Sequence, residues 1–135
     1  MTMKMCSIDS LTGYEQYYGY SVNEAGEVFS SRQSSSGEYK QLKPGYKTKK
    51  SPYQFVRLCG KDGHQKQHYI HRLVATAFIP NEDRLATVNH INKDVKDNRV
   101  CNLEWLSWKD NCYSSEDQLL YKRYKQLVSN DGSLL

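Results

Sequence analysis

The pattern of hydrophobic and polar positions predicts a β-hairpin near the middle of the chain. Residues 53–59 (YQFVRLC) and 65–70 (QKQHYI) have the extended pattern of two strands, and the sequence GKDG lies between them. Because glycine readily adopts positive φ, this segment is typical of a tight turn. Side-chain alternation gives the first strand two faces, one with Tyr53, Phe55 and Arg57 and the other with Gln54, Val56 and Leu58.

Short strands are also predicted before the hairpin, and a short helix after it. Residues 14–30 favour strands on either side of a turn at Asn23 to Gly26, and residues 40–43 favour another short strand. Residues 71–79 (HRLVATAFI) predict a helix that ends at Pro80. The apolar stripe of this helix consists of Leu73, Val74, Ala77 and Phe78.

The last third of the chain predicts a strand, a polar loop, a second strand and then helices. The strands are expected at 87–91 and within 102–107, and Ser107 is a candidate N-cap for the helix that follows. A final helix is expected over 116–128. The predicted fold class is α+β, with a small antiparallel sheet at the N-terminus.

The net charge of +4 is unevenly distributed along the chain. Residues 37–72 contain nine lysines and arginines against two acidic residues, an excess of seven positive charges. Tyrosines and phenylalanine are interleaved with these charges, as is typical of a surface that binds a polyanion. A lysine-rich solvated surface would have the same composition, so charge alone leaves both interpretations open.

The remaining composition limits the cellular setting. The longest apolar run, residues 73–79, is too short to span a bilayer, and the first residues lack the apolar stretch of a signal peptide. We therefore expect a cytoplasmic protein that is not secreted and has no membrane partner. The four cysteines contain no pair with zinc-ligand spacing, so we expect free thiols and no structural zinc.

Polar residues in the strand–loop–strand–helix segment suggest hydrolytic chemistry. His90 lies on the first of these strands, Asn102 opens the second, and Asn111 lies in the first turn of the helix. If that helix packs across the two strands, Asn89 and Asn111 come close together beside His90. A side chain that can accept a proton near neutral pH, beside two oxygen donors, suits metal-assisted hydrolysis.

This segment resembles the HNH endonucleases, also called ββα-metal or His-Me finger endonucleases, in particular those of phages and mobile introns. The resemblance rests on Asn89-His90, on Asn102 followed by Leu-Glu-Trp, and on Asn111 nine residues later. Upstream, the segments around Tyr14, around Pro44 and over 71–80 resemble the N-terminal DNA-binding module that often precedes this nuclease. The similarity covers about residues 13–112.

The resemblance implies a division of the chain into a β-rich DNA-binding module at 1–70, a ββα-metal nuclease unit at 71–115, and a C-terminal helix and tail at 116–135. It also implies a role for each site residue. His90 would be the general base, and Asn102 would hold the loop that orients its imidazole. Asn89 and Asn111 would bind one divalent cation, Mg²⁺ or Mn²⁺.

Double-stranded DNA is the expected partner, bound by a monomer or a homodimer. A two-stranded ribbon fits the major groove, so the hairpin is the candidate element. The expected DNA-binding residues are Lys47, Lys49, Lys50, Arg57, Lys61, Lys66, His71 and Arg72. For His71, a capping or packing role is the alternative. Lysines at these positions would make binding strongly dependent on salt.

One departure from the family pattern favours a different function. The first metal-ligand position is often a carboxylate in relatives, whereas here it is the neutral Asn89. Two neutral oxygens bind a hard cation weakly. The alternatives are therefore a non-catalytic DNA-binding or phage regulatory protein that keeps this scaffold and, less favoured, an inhibitor that binds a host protein.

Overall fold

The computed structural model describes residues 3–32, 35–46 and 52–107, and these form short strands around one helix. The strands are β1 (Met5–Ser7), β2 (Tyr20–Asn23), β3 (Val28–Ser30), β4 (Lys40–Gln41), β5 (Phe55–Cys59), β6 (Gln65–Tyr69), β7 (Thr87–His90) and β8 (Leu103–Leu106). The helix α1 spans Ile70–Phe78, and 3₁₀ turns span Ile8–Ser10 and Val100–Asn102. This is an α+β arrangement, as the sequence predicted.

Antiparallel pairing links the strands into three small sheets within the described residues. One has four strands in the order β1-β2-β3-β4, and the others are the hairpin β5-β6 and the pair β7-β8. The β2–β3 turn is closed by Asn23, whose Oδ1 accepts from the backbone N–H groups of Ala25 and Glu27. Gly26 completes this turn at a φ of +83°, which glycine adopts without strain.

The central hairpin and helix agree closely with the sequence pattern. Val56 and Leu58 are buried and belong to the core, while Arg57 between them is exposed, as alternation requires. The helix α1 begins one residue earlier than predicted, and the N–H of Ile70, which has no acceptor within the helix, donates to the carbonyl of Gln54. Three differences are found elsewhere: β1 was not predicted, Ile91 lies outside β7, and Asn102 ends a 3₁₀ turn instead of opening β8.

One hydrophobic core joins the N-terminal sheet to the later elements. It includes Ile8, Val22 and Val28 from the first sheet region, the buried face of β5, Leu73 and Val74 of α1, and Val88 and Leu103 from β7 and β8. The division at 70/71 stays a prediction, and the core crosses it. None of the helices in the described part of the chain is long and apolar enough to cross a membrane. The helices predicted after Ser107 and over 116–128 lie outside the described residues.

Candidate active site

His90 is the last residue of β7 and is 3% exposed. Its Nε2 lies 2.8 Å from Oδ1 of Asn98, which is itself 4% exposed. The His90 ring also lies 5.0 Å from the ring of His71 and 5.9 Å from that of Tyr53, measured between centroids. Since Tyr53 is 38% exposed, this aromatic cluster reaches from the protein surface to the buried imidazole.

Asn89 is held by a residue on the opposite strand. It pairs with Glu104 in the β7–β8 register, and its Nδ2 donates to Glu104 Oε1 at 3.0 Å. Because the amide nitrogen is engaged in this way, the amide oxygen is the atom that Asn89 can offer to a cation. The carboxylate of Glu104 also places a negative charge beside the neutral amide.

The geometry of β7 does not by itself bring Asn89 and His90 onto one face. Val88 and His90 are buried while Thr87 and Asn89 are only partly so, which reflects the alternation of a strand. His90 is the last residue of β7, so the loop that follows begins directly at the imidazole-bearing residue. Asn111, the other expected ligand, lies outside the described residues.

Asn102 ties down the loop that follows His90. Its Oδ1 accepts from the N–H of Asn92 at 3.0 Å, and its Nδ2 donates to Asn92 Oδ1 and to the carbonyl oxygen of Asp97, both at 2.9 Å. The backbone N–H of Ile91 donates to the carbonyl of Asn102. This buried side chain therefore has the geometry expected of a residue that shapes the loop.

The same loop is braced by an ion pair. Arg99 Nε lies 2.7 Å from Asp97 Oδ1, and the hydrogen bonds from this guanidinium hold the pKa of the Asp97 carboxyl well below its usual range. The other carboxylate oxygen of Asp97 accepts from Asn92 Nδ2 at 2.9 Å. Because the 92–99 loop is internally bonded at both ends, it can present Asn98 to His90 in a fixed position.

His71 lies inside the protein rather than on its surface. It is 8% exposed and packs against Tyr53, Tyr69 and His90. Burial, with smaller contributions from the charges of His90 and Arg72, lowers the pKa of His71 to about 3. A neutral, buried imidazole supports the packing role that the sequence left as the alternative, and a phosphate contact by His71 stays a prediction.

The expected DNA-binding residues are distributed over several positions. Arg57 is exposed on the outward face of the hairpin opposite Gln67, whereas Lys66 pairs with Leu58 on the other face, and Lys61 lies in the turn. Arg72 donates to the carbonyl of Ala86 at 2.8 Å and lies over the ring of Trp105 at 5.6 Å. Its contribution to DNA binding stays a prediction, as do those of Lys47, Lys49 and Lys50, which lie outside the described residues.

The described residues contain little that would hold a metal ion by themselves. Within 3–32, 35–46 and 52–107, no group of three or more histidine, cysteine, aspartate or glutamate side chains is placed to hold one. Two cavities of about 370 and 300 Å³ lie on either side of Phe55 in the hairpin. Neither of these two cavities is lined by His90.

Three residues near the site were not identified from the sequence: Asn98, Gln54 and Glu104. Glu104 could have been found, since two antiparallel strands joined by the predicted loop bring Asn89 opposite a residue of Leu-Glu-Trp. Asn98 and Gln54 gave no such signal because they are 44 residues apart in sequence and meet only through packing of the hairpin on the loop.

Comparison with known proteins identifies the family of the segment that contains Asn89, His90 and Asn102. Residues 68–113 match the family model described as HNH endonuclease. Two curated relatives from Acanthamoeba polyphaga mimivirus, both described as uncharacterized HNH endonucleases, are 42% identical over 78 residues and 36% identical over 97 residues. These alignments cover 56% and 72% of this chain but only 20% and 27% of the relatives. The chain thus spans about a quarter of their length.

A solved structure is similar over most of the chain. It is the HNH homing endonuclease I-HmuI, described in a study of DNA binding and cleavage, and it matches with a TM-score of 0.65 at 28% identity. The match covers 94% of this chain and 67% of that one. The resemblance to HNH endonucleases is therefore confirmed, and residues 68–113 carry an HNH endonuclease domain.

Proposed function

We propose that this protein is a metal-dependent DNA endonuclease that hydrolyses phosphodiester bonds. The observation that carries the proposal is the buried imidazole of His90 at the end of β7, with one ring nitrogen engaged by Asn98. A neutral imidazole held in this way has its other nitrogen as a proton acceptor. The HNH domain and the similarity to an HNH homing endonuclease support the same function.

The reaction assigned to His90 is removal of a proton from the attacking water. The water oxygen then forms a bond to phosphorus, and the bond from phosphorus to the 3′ oxygen breaks. The products are a 5′-phosphate and a 3′-hydroxyl, the leaving oxygen taking a proton from solvent. Asn102 contributes by fixing the loop after His90, so that the imidazole keeps one position through the reaction.

The donor chemistry of Asn89 fits a divalent cation of the Mg²⁺ or Mn²⁺ type. Its amide nitrogen is engaged by Glu104, so the site offers a hard amide oxygen next to a carboxylate. We propose that Asn89 and Asn111 are the protein ligands. When bound, the cation would offset negative charge on the phosphorane and on the leaving oxygen. Since Asn89 carries no charge, we expect the cation to bind poorly without DNA.

We propose double-stranded DNA as the substrate and the outward face of the β5–β6 hairpin as part of its binding surface. Arg57 is exposed there beside Gln67, and an arginine and an amide side chain can both contact bases or phosphates. Binding should weaken steeply between low and moderate salt, and Arg57→Ala should reduce the salt slope by about one. A salt-independent affinity would contradict this surface.

A non-catalytic DNA-binding protein is the second candidate. It is favoured by Asn89, which leaves the proposed cation site without a charged ligand from β7. A plasmid assay separates the two. Supercoiled plasmid is incubated with wild-type protein and with His90→Ala, with Mg²⁺, with Mn²⁺ and with a chelator. Gel shifts in the chelator show whether the variant still binds DNA, and circular dichroism shows whether it is folded.

Each outcome of this assay discriminates between the candidates. Metal-dependent nicking by the wild type, lost in a His90→Ala protein that still shifts DNA, supports the endonuclease. A shift without cleavage by either protein supports the DNA-binding alternative. If neither protein binds DNA, both candidates are wrong. Relaxed circles would indicate a nicking enzyme and linear plasmid a double-strand cut. From the resemblance to phage and intron endonucleases we also propose a free-standing homing role of phage origin.

A further inference from the structure

Two amide side chains form a line of hydrogen bonds that ends on the imidazole of His90. Asn98 Nδ2 donates to Gln54 Oε1 at 3.0 Å, and Asn98 Oδ1 lies 2.8 Å from His90 Nε2. His90 and Asn98 are 3% and 4% exposed, so water does not compete strongly for these contacts. Gln54 directly precedes β5, and it belongs to the N-terminal part of the chain.

We propose that Asn98 is a positioning residue that fixes the tautomer of His90, and that Gln54 sets the direction in which Asn98 acts. The proposal rests on the proposed function, in which His90 is the base. It adds Asn98, which lies within the matched segment 68–113, and Gln54, which lies outside it.

The direction of the hydrogen bond between Asn98 and His90 follows from the donor and acceptor groups of an amide. Asn98 has one nitrogen, which donates only, and one oxygen, which accepts only. Because Gln54 Oε1 takes the nitrogen's hydrogen bond, the oxygen of Asn98 faces His90 and requires an N–H on Nε2. A neutral imidazole carries a single N–H, so Nδ1 is left unprotonated. Nδ1 is therefore the atom that accepts the proton from water.

The N-terminal sheet holds the loop that carries Asn98. The N–H of Val100 donates to the carbonyl of Glu24 at 2.9 Å. A Cβ added at Gly26 would lie 2.7 Å from the carbonyl oxygen of Asn98, so the β2–β3 turn and the loop are in close contact. The orientation of His90 thus depends on the sheet and the hairpin as well as on the nuclease segment.

Nitrogen NMR of the full-length, metal-free protein tests the tautomer directly, without DNA. Long-range correlations from the ring protons distinguish protonated from unprotonated nitrogens, and the signals are assigned by their loss in His90→Ala. We expect Nε2 to be protonated, with an observable attached proton, and Nδ1 to be unprotonated. Protonation of Nδ1 instead, or rapid averaging of both tautomers in the wild type, would overturn the proposal.

Variants then distinguish the loss of the positioning hydrogen bonds from a general effect on the folded protein. Asn98→Leu removes the acceptor, so the Nε2 proton signal should disappear through exchange or tautomer averaging. Asn98→Asp keeps an oxygen acceptor toward Nε2 of His90, so the signal should return. Gln54→Leu should weaken the signal, whereas Gln67→Leu, the same change in the same hairpin without an Asn98 contact, should leave it intact.

The nicking rate gives a second readout, and its outcome is independent of the NMR result. Asn98→Leu should lower the nicking rate about five-fold, the factor that corresponds to one average hydrogen bond. The DNA concentration needed for half-maximal rate should not change, because Asn98 acts on the base and not on DNA binding. If the wild type nicks DNA but carries its proton on Nδ1, the positioning role is wrong and the nuclease stands. If the tautomer is as proposed but nothing is cleaved, the nuclease is wrong.

Discussion

Lowering the pH from 7 to 5 is expected to destabilise the folded protein through His71. This imidazole is 8% exposed, and its Nδ1 is buried with no hydrogen-bond partner among the described residues. Protonation would place a charge on a largely buried imidazole whose Nδ1 has no hydrogen-bond partner among the described residues, and burial disfavours the charged form. Burial accordingly lowers the pKa of His71 from 6.5 to about 3.

The sign and size of the effect follow from linkage between protonation and folding. The unfolded chain binds a proton at His71 near pH 6.5, whereas the folded state binds it only near pH 3. Stability is therefore complete above the unfolded pKa and is lost progressively as the pH falls toward the folded one. At about 1.4 kcal/mol for each pKa unit, the loss by pH 5 is about 2 kcal/mol, a large fraction of the ~5–15 kcal/mol that stabilises a typical domain.

Urea denaturation at pH 7 and pH 5, without DNA or metal, measures this loss. The test variant is His71→Phe, which keeps an aromatic ring among Tyr53 and Tyr69 but cannot be protonated. We expect its stability to fall by about 2 kcal/mol less than that of the wild type over this interval. The control is His64→Gln, which removes an imidazole that is 86% exposed. If His71→Phe keeps the full wild-type pH dependence, this reasoning is wrong.

Three further predictions concern the residues around the site. Glu104→Ala removes the hydrogen bond that holds the amide of Asn89. The Mn²⁺ concentration for half-maximal nicking should therefore rise about five-fold, the factor for one hydrogen bond of about 1 kcal/mol. An unchanged metal dependence would contradict this. Asn102→Ala removes three side-chain hydrogen bonds and should cost about 3 kcal/mol in urea denaturation, and a loss below about 1 kcal/mol would show that the loop is held by other contacts. Gly26→Ala places a Cβ 2.7 Å from the carbonyl oxygen of Asn98, at a φ of +83°. It should lower the free energy of unfolding by more than ~1 kcal/mol and shift the His90 ring signals in NMR. Unchanged spectra would refute the contact.

Local pattern determined the central hairpin and the helix. Alternation in residues 53–59 separated the buried Val56 and Leu58 from the exposed Arg57 correctly. The apolar stripe placed α1 to within one residue, since 3.6-residue periodicity is a property of the sequence itself. The strand β1 was missed because Met5–Ser7 is only three residues long, and its pairing with β2 depends on contacts that no local pattern contains.

The candidate site was also predicted only in part from the sequence. The order of Asn89, His90 and Asn102 along the chain was enough to indicate an HNH segment, and the family comparison confirms it. The resemblance also implied that Asn102 would hold the loop, and its side chain makes three hydrogen bonds to Asn92 and Asp97. Its role in orienting the imidazole stays a prediction. The assignment of Asn111 as a ligand stays a prediction.

Tertiary structure alone decided how His90 is surrounded. Gln54 and Asn98 meet across 44 residues because the hairpin and the loop share one core, and spacing in sequence carries no information about such a contact. Burial also decided the protonation state of the His71 imidazole. The sequence placed this residue at the start of a helix but could not place it within a cluster of aromatic rings. The residue types and their order indicated the proposed chemistry, whereas packing decided which side chains surround His90 and His71.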